Sequence, residues 1–529
     1  MKKAKKISKK AFLLVLPIAM VLSLAACGGT NEATEPADTN DGYKEVFFGD
    51  ASGNFGGSMT SLDPADGWNG WFMDFYGTGE TLYKLDEGYN PVPCLAESAT
   101  MVDEYTWEFK IRDNVKFHNG EALTAEKVKQ SLEYMLGLTA RAPETYHFDS
   151  ISADGQTLTI KTLEPNPALL NDLCDPLSVI QYIGDGIDYA NAPVMTGPFV
   201  ITEYKSGEKT VLESFADYWG GKAKLDKVNL ITLADKDALT LALQSGEISL
   251  AIELDPSSLS LFSDTSKYEM HSVVSTSTIY YIFNNDGKYG TDTTLRKAVS
   301  MCIDRQSVQD LSNGVRAAAY GLYPDSMTFG GTKDLDLSVS KYDLEGAKQL
   351  LMDAGYEDAD GDGYLEKDGE KLTLILVSST DNETMNNSQA LQSNLKSIGV
   401  DLQIEEYKSA SDGTAEGKEW DLTTGGKILA PTGNIQYFAN TMLKTGASTN
   451  VGNYSNAEID ALAVQLESTF DTNERDDIAR QIVQNVLDDG YIAPIAFRNF
   501  FAVSTTNIKD FNINPSKYYF LDNQIDFVE

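Results

Sequence analysis

Cysteine and histidine are scarce in this chain of 529 residues, with four of the first and three of the second. Beyond Cys27, the cysteines Cys94, Cys174 and Cys302 lie far apart in the apolar contexts "VPCLAES", "NDLCDPL" and "AVSMCID". An odd, scattered set argues against a disulfide framework and against a zinc site, and reads as small buried hydrophobes. His118, His147 and His271 form neither an HExxH nor an i, i+4 pair, and no GxSxG elbow, P-loop or Rossmann glycine pattern occurs. These absences argue against catalysis through the standard constellations, so the expectation is a protein that is not an enzyme and needs no cofactor. His118 reads as structural, and His147, in "PETYHFDS", as a candidate to face a cleft.

Basic residues are also short, 42 against 79 acidic ones, for a formal net charge of -37. The balance argues against nucleic acid as a partner, because phosphate binding needs clustered cations. Direct adhesion to anionic lipid is disfavoured for the same reason, and the acidity reads as solubility outside the cell. Long apolar runs are missing too. The stretch 11–26 falls short of the roughly 20 residues that a bilayer span needs. Lysines at positions 2, 3, 5, 6, 9 and 10 precede it, so residues 1–26 read as a secretory signal and not as part of the fold. Its end, Leu24-Ala25-Ala26-Cys27, resembles the lipobox of bacterial lipoproteins, in which the cysteine receives a diacylglycerol. Cys27 is then a lipid tether and residues 28–43 a flexible leash, two acyl chains being enough for a stable anchor.

About 500 mature residues are too many for one core, so two or more lobes are expected. Strand-like alternation in "TWEFKI", "TLTIKT", "KVNLITL" and "LTLILV" is interleaved with helical periodicity. In "YDLEGAKQLLMDAGY" Asp343 caps a helix that Gly355 ends, and "SNAEIDALAVQLEST" and "NERDDIARQIVQNVLDDG" predict two more. Thr124 is a further N-cap candidate. Mixed elements without an internal repeat indicate an α/β or α+β protein.

Several segments, in order from about residue 45 to 520, resemble the extracellular solute-binding proteins of family 5, the peptide/nickel class serving ABC importers. They are "TSLDPADG", "ETLYKLDEGYNPVPCLAES", "YTWEFKIRDNVKFHNGEALTAEKVKQSLEYML", "TGPFVITEYKSGEKTVLESFADYWGGKAKLDKV", "LALQSGEISLAI" and "TLRKAVSMCIDRQSV". The resemblance implies an α/β, two-lobed periplasmic-binding-protein-like fold (class II, family 5 type), with a hinge crossed twice and the ligand buried between lobes. Lobe I would span 44–285 plus 496–529, with an inserted subdomain at about 87–190, and lobe II 286–495. It further implies a monomeric receptor, anchored by its lipid on the extracytoplasmic face of a bacterial membrane, that hands a small peptide or chelated metal to an ABC permease. The competing reading is a lipid-tethered extracellular hydrolase.

The family's familiar selectivity residues do not map cleanly. The peptide-type aspartate of lobe II would fall in "GGKILAPTGNIQYF", where Pro431 stands; the nickel-type tryptophan is replaced by Ile428 or a neighbour; and Leu177 takes the place of an expected lobe I arginine. The remaining ligand-binding candidates are Trp68 and Trp71 as an aromatic wall, Tyr281 and Asn284 at the expected hinge crossing, and Arg316 and Lys427 as cations for a carboxylate. For the two tryptophans core burial is the alternative, and for Arg316 and Lys427 solvated surface. In "DADGDGYLEKDGE" the carboxylates Asp358, Asp360 and Asp362 occupy positions 1, 3 and 5 of an EF-hand, but Gly369 holds position 12, where a glutamate is required. The segment therefore reads as an acidic surface turn, with calcium binding as the alternative.

Overall fold

The computed structural model describes residues 42–55 and 59–528; the signal segment and Cys27 lie outside them. Eleven strands make the main sheet: β1 (Glu45–Asp50), β2 (Phe199–Lys205), β3 (Lys209–Ser214), β4 (Lys227–Thr232), β5 (Leu250–Ile252), β6 (Tyr268–Phe283), β7 (Arg316–Ala318), β8 (Thr373–Ser379), β9 (Asp401–Tyr407), β10 (Leu422–Ile428) and β11 (Ile492–Thr505). Their order is β9-β8-β10-β6-β11-β5-β1-β4-β3-β2, with β7 also on β11.

The long antiparallel pair β6 and β11 joins two sub-sheets. From Tyr268 to Val274, β6 lies against residues 505 to 499 of β11; from Thr278 to Ile282 it lies against 497 to 492, and the register breaks between. On one side of the break β11 carries β5 and, through it, β1, β4, β3 and β2. On the other side β6 pairs β10 from Ser277 onward, and β10 leads to β8 and β9. A sheet divided in this way gives a two-lobed α/β fold. A separate four-stranded antiparallel sheet, covering Ala96–Asp103, Thr106–Ile111, Phe148–Asp154 and Thr157–Thr162, stands beside the first lobe.

The central strands of each sub-sheet are rich in buried apolar residues. Val46, Phe48, Leu212 and Leu230 pack in lobe I. Leu374, Leu376 and Leu422 pack in lobe II against Leu295, Leu351 and Leu395, which come from α3 (Thr293–Met301), α4 (Leu344–Asp353) and α5 (Asn382–Ser397). Each such side chain contributes roughly 1.5–3 kcal/mol. Ahead of these run α1 (Asn69–Phe75) and α2 (Ala125–Leu138), and after them α6 (Ala457–Ser468) and α7 (Thr472–Asp489). The caps are those legible in the sequence: Thr124 accepts from the Lys127 N–H and Asp343 from the Gly346 N–H. Gly355 and Gly490 follow α4 and α7 at φ of +86° and +63°, where a Cβ would be strained. Cys94, Cys174 and Cys302 are free thiols, all buried.

Candidate functional site

Strand direction locates the crevice. β5 runs antiparallel to β11, so Ile252 lies nearer the register break than Leu250, and β1, parallel to β5, ends on the same side at Asp50. In lobe II, β10 pairs Ile428 with Ser277 and runs parallel to β8, which ends at Ser379. Carboxyl ends of parallel strands from both lobes therefore converge on residues 275–277, the place where α/β sheets hold ligands.

At the break stands Arg498, the cross-strand neighbour of Arg316 in β7. Its carbonyl accepts the Ser275 hydroxyl at 2.7 Å. Its guanidinium lies over β10, where a Cβ on Gly426 would come within 2.6 Å of Nη1; a Cβ on Gly425 would meet the Tyr280 ring at 2.3 Å. The "GG" of "TTGGKI" thus makes room for a tyrosine on one face of β10 and an arginine on the other. Burial lowers the Arg498 pKa, opposed by the Glu383 carboxylate. No carboxylate within 4 Å and no side-chain hydrogen bond is found for this guanidinium among the described residues. The other seven arginines all have such partners.

Arg316 is already paired: Nε and Nη2 donate to the two oxygens of Glu383 at 2.5 and 2.7 Å. Lys427 is half-buried, with its Nζ 3.4 Å from Thr449 Oγ1 and 5.6 Å from the Tyr437 ring centroid. Tyr281 lies in the lobe II core at 1% exposure, and its neighbour Tyr280 is buried on the opposite face at 4%. Asn284 sits past the far end of β6, where its Nδ2 donates to the Trp420 carbonyl at 3.0 Å. Arg316 and Lys427 are therefore near the break, while Tyr281 and Asn284 hold up lobe II.

On the lobe I side, Trp71 is half-buried, stacks on Phe75 at 4.9 Å and donates to the Lys517 carbonyl at 2.8 Å. Lys517 pairs with Glu253 at 2.9 Å and lies 5.0 Å from the ring of Phe500, two residues beyond Arg498. Against burial, which would raise it, Lys517 holds the Glu253 carboxyl below its ordinary value. Trp68 is 69% exposed and carries the Arg141 guanidinium 4.0 Å from its ring centroid. Trp68, Trp71, Arg141, Asp175, Leu177 and Tyr518 enclose a cavity of about 20 Å³. The lobes touch nearby. Tyr89, at φ +63°, accepts the Thr276 N–H at 3.0 Å and donates to the Pro515 carbonyl at 2.9 Å. Asn171 of lobe I donates to the Thr432 carbonyl at 2.8 Å, in the loop that carries Pro431.

The remaining candidates lie elsewhere. His118 is half-buried, its Nε2 3.0 Å from the Gly197 carbonyl, and desolvation lowers its pKa to about 4. His147 is exposed and ends the helix Arg141–Tyr146 in left-handed conformation. Tyr218 and Trp219 both donate to the Glu80 carboxylate. Asp358, Asp360 and Asp362 are joined by Glu366, at position 9 of the loop, with ligand oxygens all within 4.8 Å. Spacing alone pointed to position 12 and missed Glu366. Arg498 was also missed. Its signal is a lone charge inside the apolar run "IAPIAFRNFFAV", where a buried strand has no structural use for one.

The model of bacterial extracellular solute-binding proteins, family 5, matches residues 90–450. The chain belongs to that family. The nickel-binding protein NikA of Staphylococcus aureus is 28% identical over 447 residues, 84% of this chain and 88% of its own. Its structure in complex with Ni(L-His)2 superposes with a TM-score of 0.69 at 26% identity, covering 92% of this chain and all of that one. The oligopeptide-binding protein AppA of Bacillus subtilis is 26% identical over 540 residues, 96% of this chain and 97% of its own. A nickel ABC transporter structure from Bacillus halodurans gives a TM-score of 0.82 at 27% identity, covering 91% of this chain and all of that one. The two-lobed fold is thus that of the family 5 binding proteins, and the relatives are nickel or peptide binding proteins of ABC transporters. No helix among the described residues is long and apolar enough to cross a membrane.

Proposed function

We propose that this protein is the monomeric substrate-binding lipoprotein of an ABC importer, and that it captures a small peptide or a metal chelate between its lobes through a ligand carboxylate on Arg498. The observation that carries the reading is the half-buried guanidinium at the crossing of β6 and β11, which has no side-chain hydrogen bond and no carboxylate within 4 Å among the described residues. A cation kept there without compensation is costly, and an anionic ligand offsets that cost with a charge-assisted, two-pronged contact. Arg316 stands behind it as half of an ion pair, and Lys427, Tyr437 and Trp71 border the same crevice. On this proposal lobe I spans 44–285 plus 496–529, with an inserted subdomain at about 87–190, and lobe II spans 286–495. The pivot is assigned to residues 275–277 and Arg498.

Closure follows from ligand contacts to both lobes. Cys27, outside the described residues, anchors the protein to the outer face of the membrane, and fractionation with and without detergent tests that placement. Native mass spectrometry of freshly purified protein tests the function. Recovery of an intact peptide or a metal chelate supports the receptor, whereas release of cleaved peptide supports a hydrolase.

A further inference from the structure

Besides β6 and β11, a third stretch of chain runs beside the register break. By its place in the chain the segment 311–318 belongs to lobe II, where the helix Arg305–Asp310 leads into it. Arg305, 1% exposed at the start of that helix, also holds the segment's return: it donates to the carbonyls of Ala319, Pro494, Ser300 and Ser340 at 2.6 to 3.0 Å. Both ends are thus fixed to lobe II. The tip is seated in lobe I. Val315 is 2% exposed and packs with Leu239, Leu254, Leu259, Phe262 and Phe501, and the other members of that cluster also lie in 44–285 or 496–529. Asn313 and Gly314, at φ of +53° and +83°, turn the chain there, as an Asn-Gly pair readily does. Asn313 Nδ2 donates to the Pro256 carbonyl at 3.1 Å, and the Gly314 carbonyl accepts from Asn499 Nδ2 at 2.8 Å and from the Ser272 hydroxyl at 3.3 Å. The Asn499 N–H donates to the Val315 carbonyl at 3.1 Å, and β7 then carries the chain back along residues 498 to 496 of β11.

Lobes swinging apart about the break must either stretch this short segment or draw Val315 out of its cluster. The first is opposed by the pairing of β7 with β11, which leaves the segment little slack. The second exposes a buried side chain and leaves a cavity behind it. We propose that the segment 311–318 is a strap beside the pivot, with Val315 as its plug in lobe I, that limits how far the lobes open. The strap rests on the same division into two lobes as the ligand crevice, and is independent of what the crevice binds.

The test needs no ligand. Small-angle scattering and thermal melts on the full chain compare the wild type with Val315→Ser and with Leu259→Ser, which makes the same kind of loss in the same cluster wholly inside lobe I. Both variants should lower Tm, but only Val315→Ser should raise the radius of gyration. Hydrogen exchange on the wild type reads the strap without any substitution and decides the matter where a variant does not fold. The Asn499 amide, bonded to Val315, should exchange as slowly as the amides of residues 500–504 in β11. A radius of gyration unchanged in Val315→Ser or raised equally in both variants, or an Asn499 amide that exchanges rapidly in the wild type, would overturn the proposal. Failure to bind an anionic ligand would count against the Arg498 reading alone.

Discussion

Arg498 and Arg316 are adjacent on paired strands, yet only one is neutralised, and the carboxylate that neutralises it also acts on the other. Removing Arg316 therefore does more than delete a cation: it frees Glu383 to compete for Arg498. Arg316→Ala should weaken binding of an anionic ligand by about tenfold, within the range of a charged hydrogen bond. Glu383→Ala added to it should restore most of that loss. Calorimetry on the single and double variants decides this, and a double variant no better than the single one would show that Arg316 touches ligand itself. A second residue-scale expectation concerns Asp172. It is half-buried, and burial raises its carboxyl to about 7, with Asn166 donating to it at 2.8 Å. A folded-state value above the unfolded one means stability present at low pH and lost as pH rises from about 4 through 7. Between pH 5 and pH 8, urea unfolding should show the wild type losing stability relative to Asp172→Asn; parallel profiles would contradict it.

Strand β10 is shaped by what it leaves out. Gly426 faces the Arg498 guanidinium at a distance no Cβ can share. Gly426→Ala should therefore displace that guanidinium and reduce ligand affinity several-fold. Stability should change little, since alanine suits a strand at least as well as glycine. Thermal melts beside calorimetry check this, and undiminished affinity would place the ligand away from β10. Much of the element level was legible beforehand: the Asp343 and Thr124 caps, the glycines after α4 and α7, and the strands in "TWEFKI" and "LTLILV" all follow from local chemistry. What local chemistry does not carry is registry between distant strands. The break at 275–277 lies in "STST", a polar run with no alternation to read, and its partner β11 is more than two hundred residues away. Tyr281 is lost to the core for a related reason: adjacent strand positions face opposite ways, and without the register nothing in the sequence says which face is buried. Arg498 shows its meaning only once Glu383 is seen to be taken by Arg316.

Two lobes that share only β6 and β11 as continuous strands can pivot where those strands lose register. Ligand at the break contacts both lobes and favours the closed arrangement by its differential affinity. Small-angle scattering should show a smaller radius of gyration at saturating ligand, and an unchanged value would remove closure from the account. The relatives define the probes, since one is solved with nickel-bound histidine and another is named for oligopeptides. The most direct measurement is titration calorimetry of wild type and Arg498→Ala with Ni(II)–L-histidine and with a panel of short peptides. The account predicts single-site binding of at least one of these by the wild type, weakened ten- to a hundredfold in the variant, as loss of a charge-assisted contact worth roughly 1.5–3 kcal/mol requires. Equal affinity of the two proteins, or no binding of either class by the wild type, would contradict it.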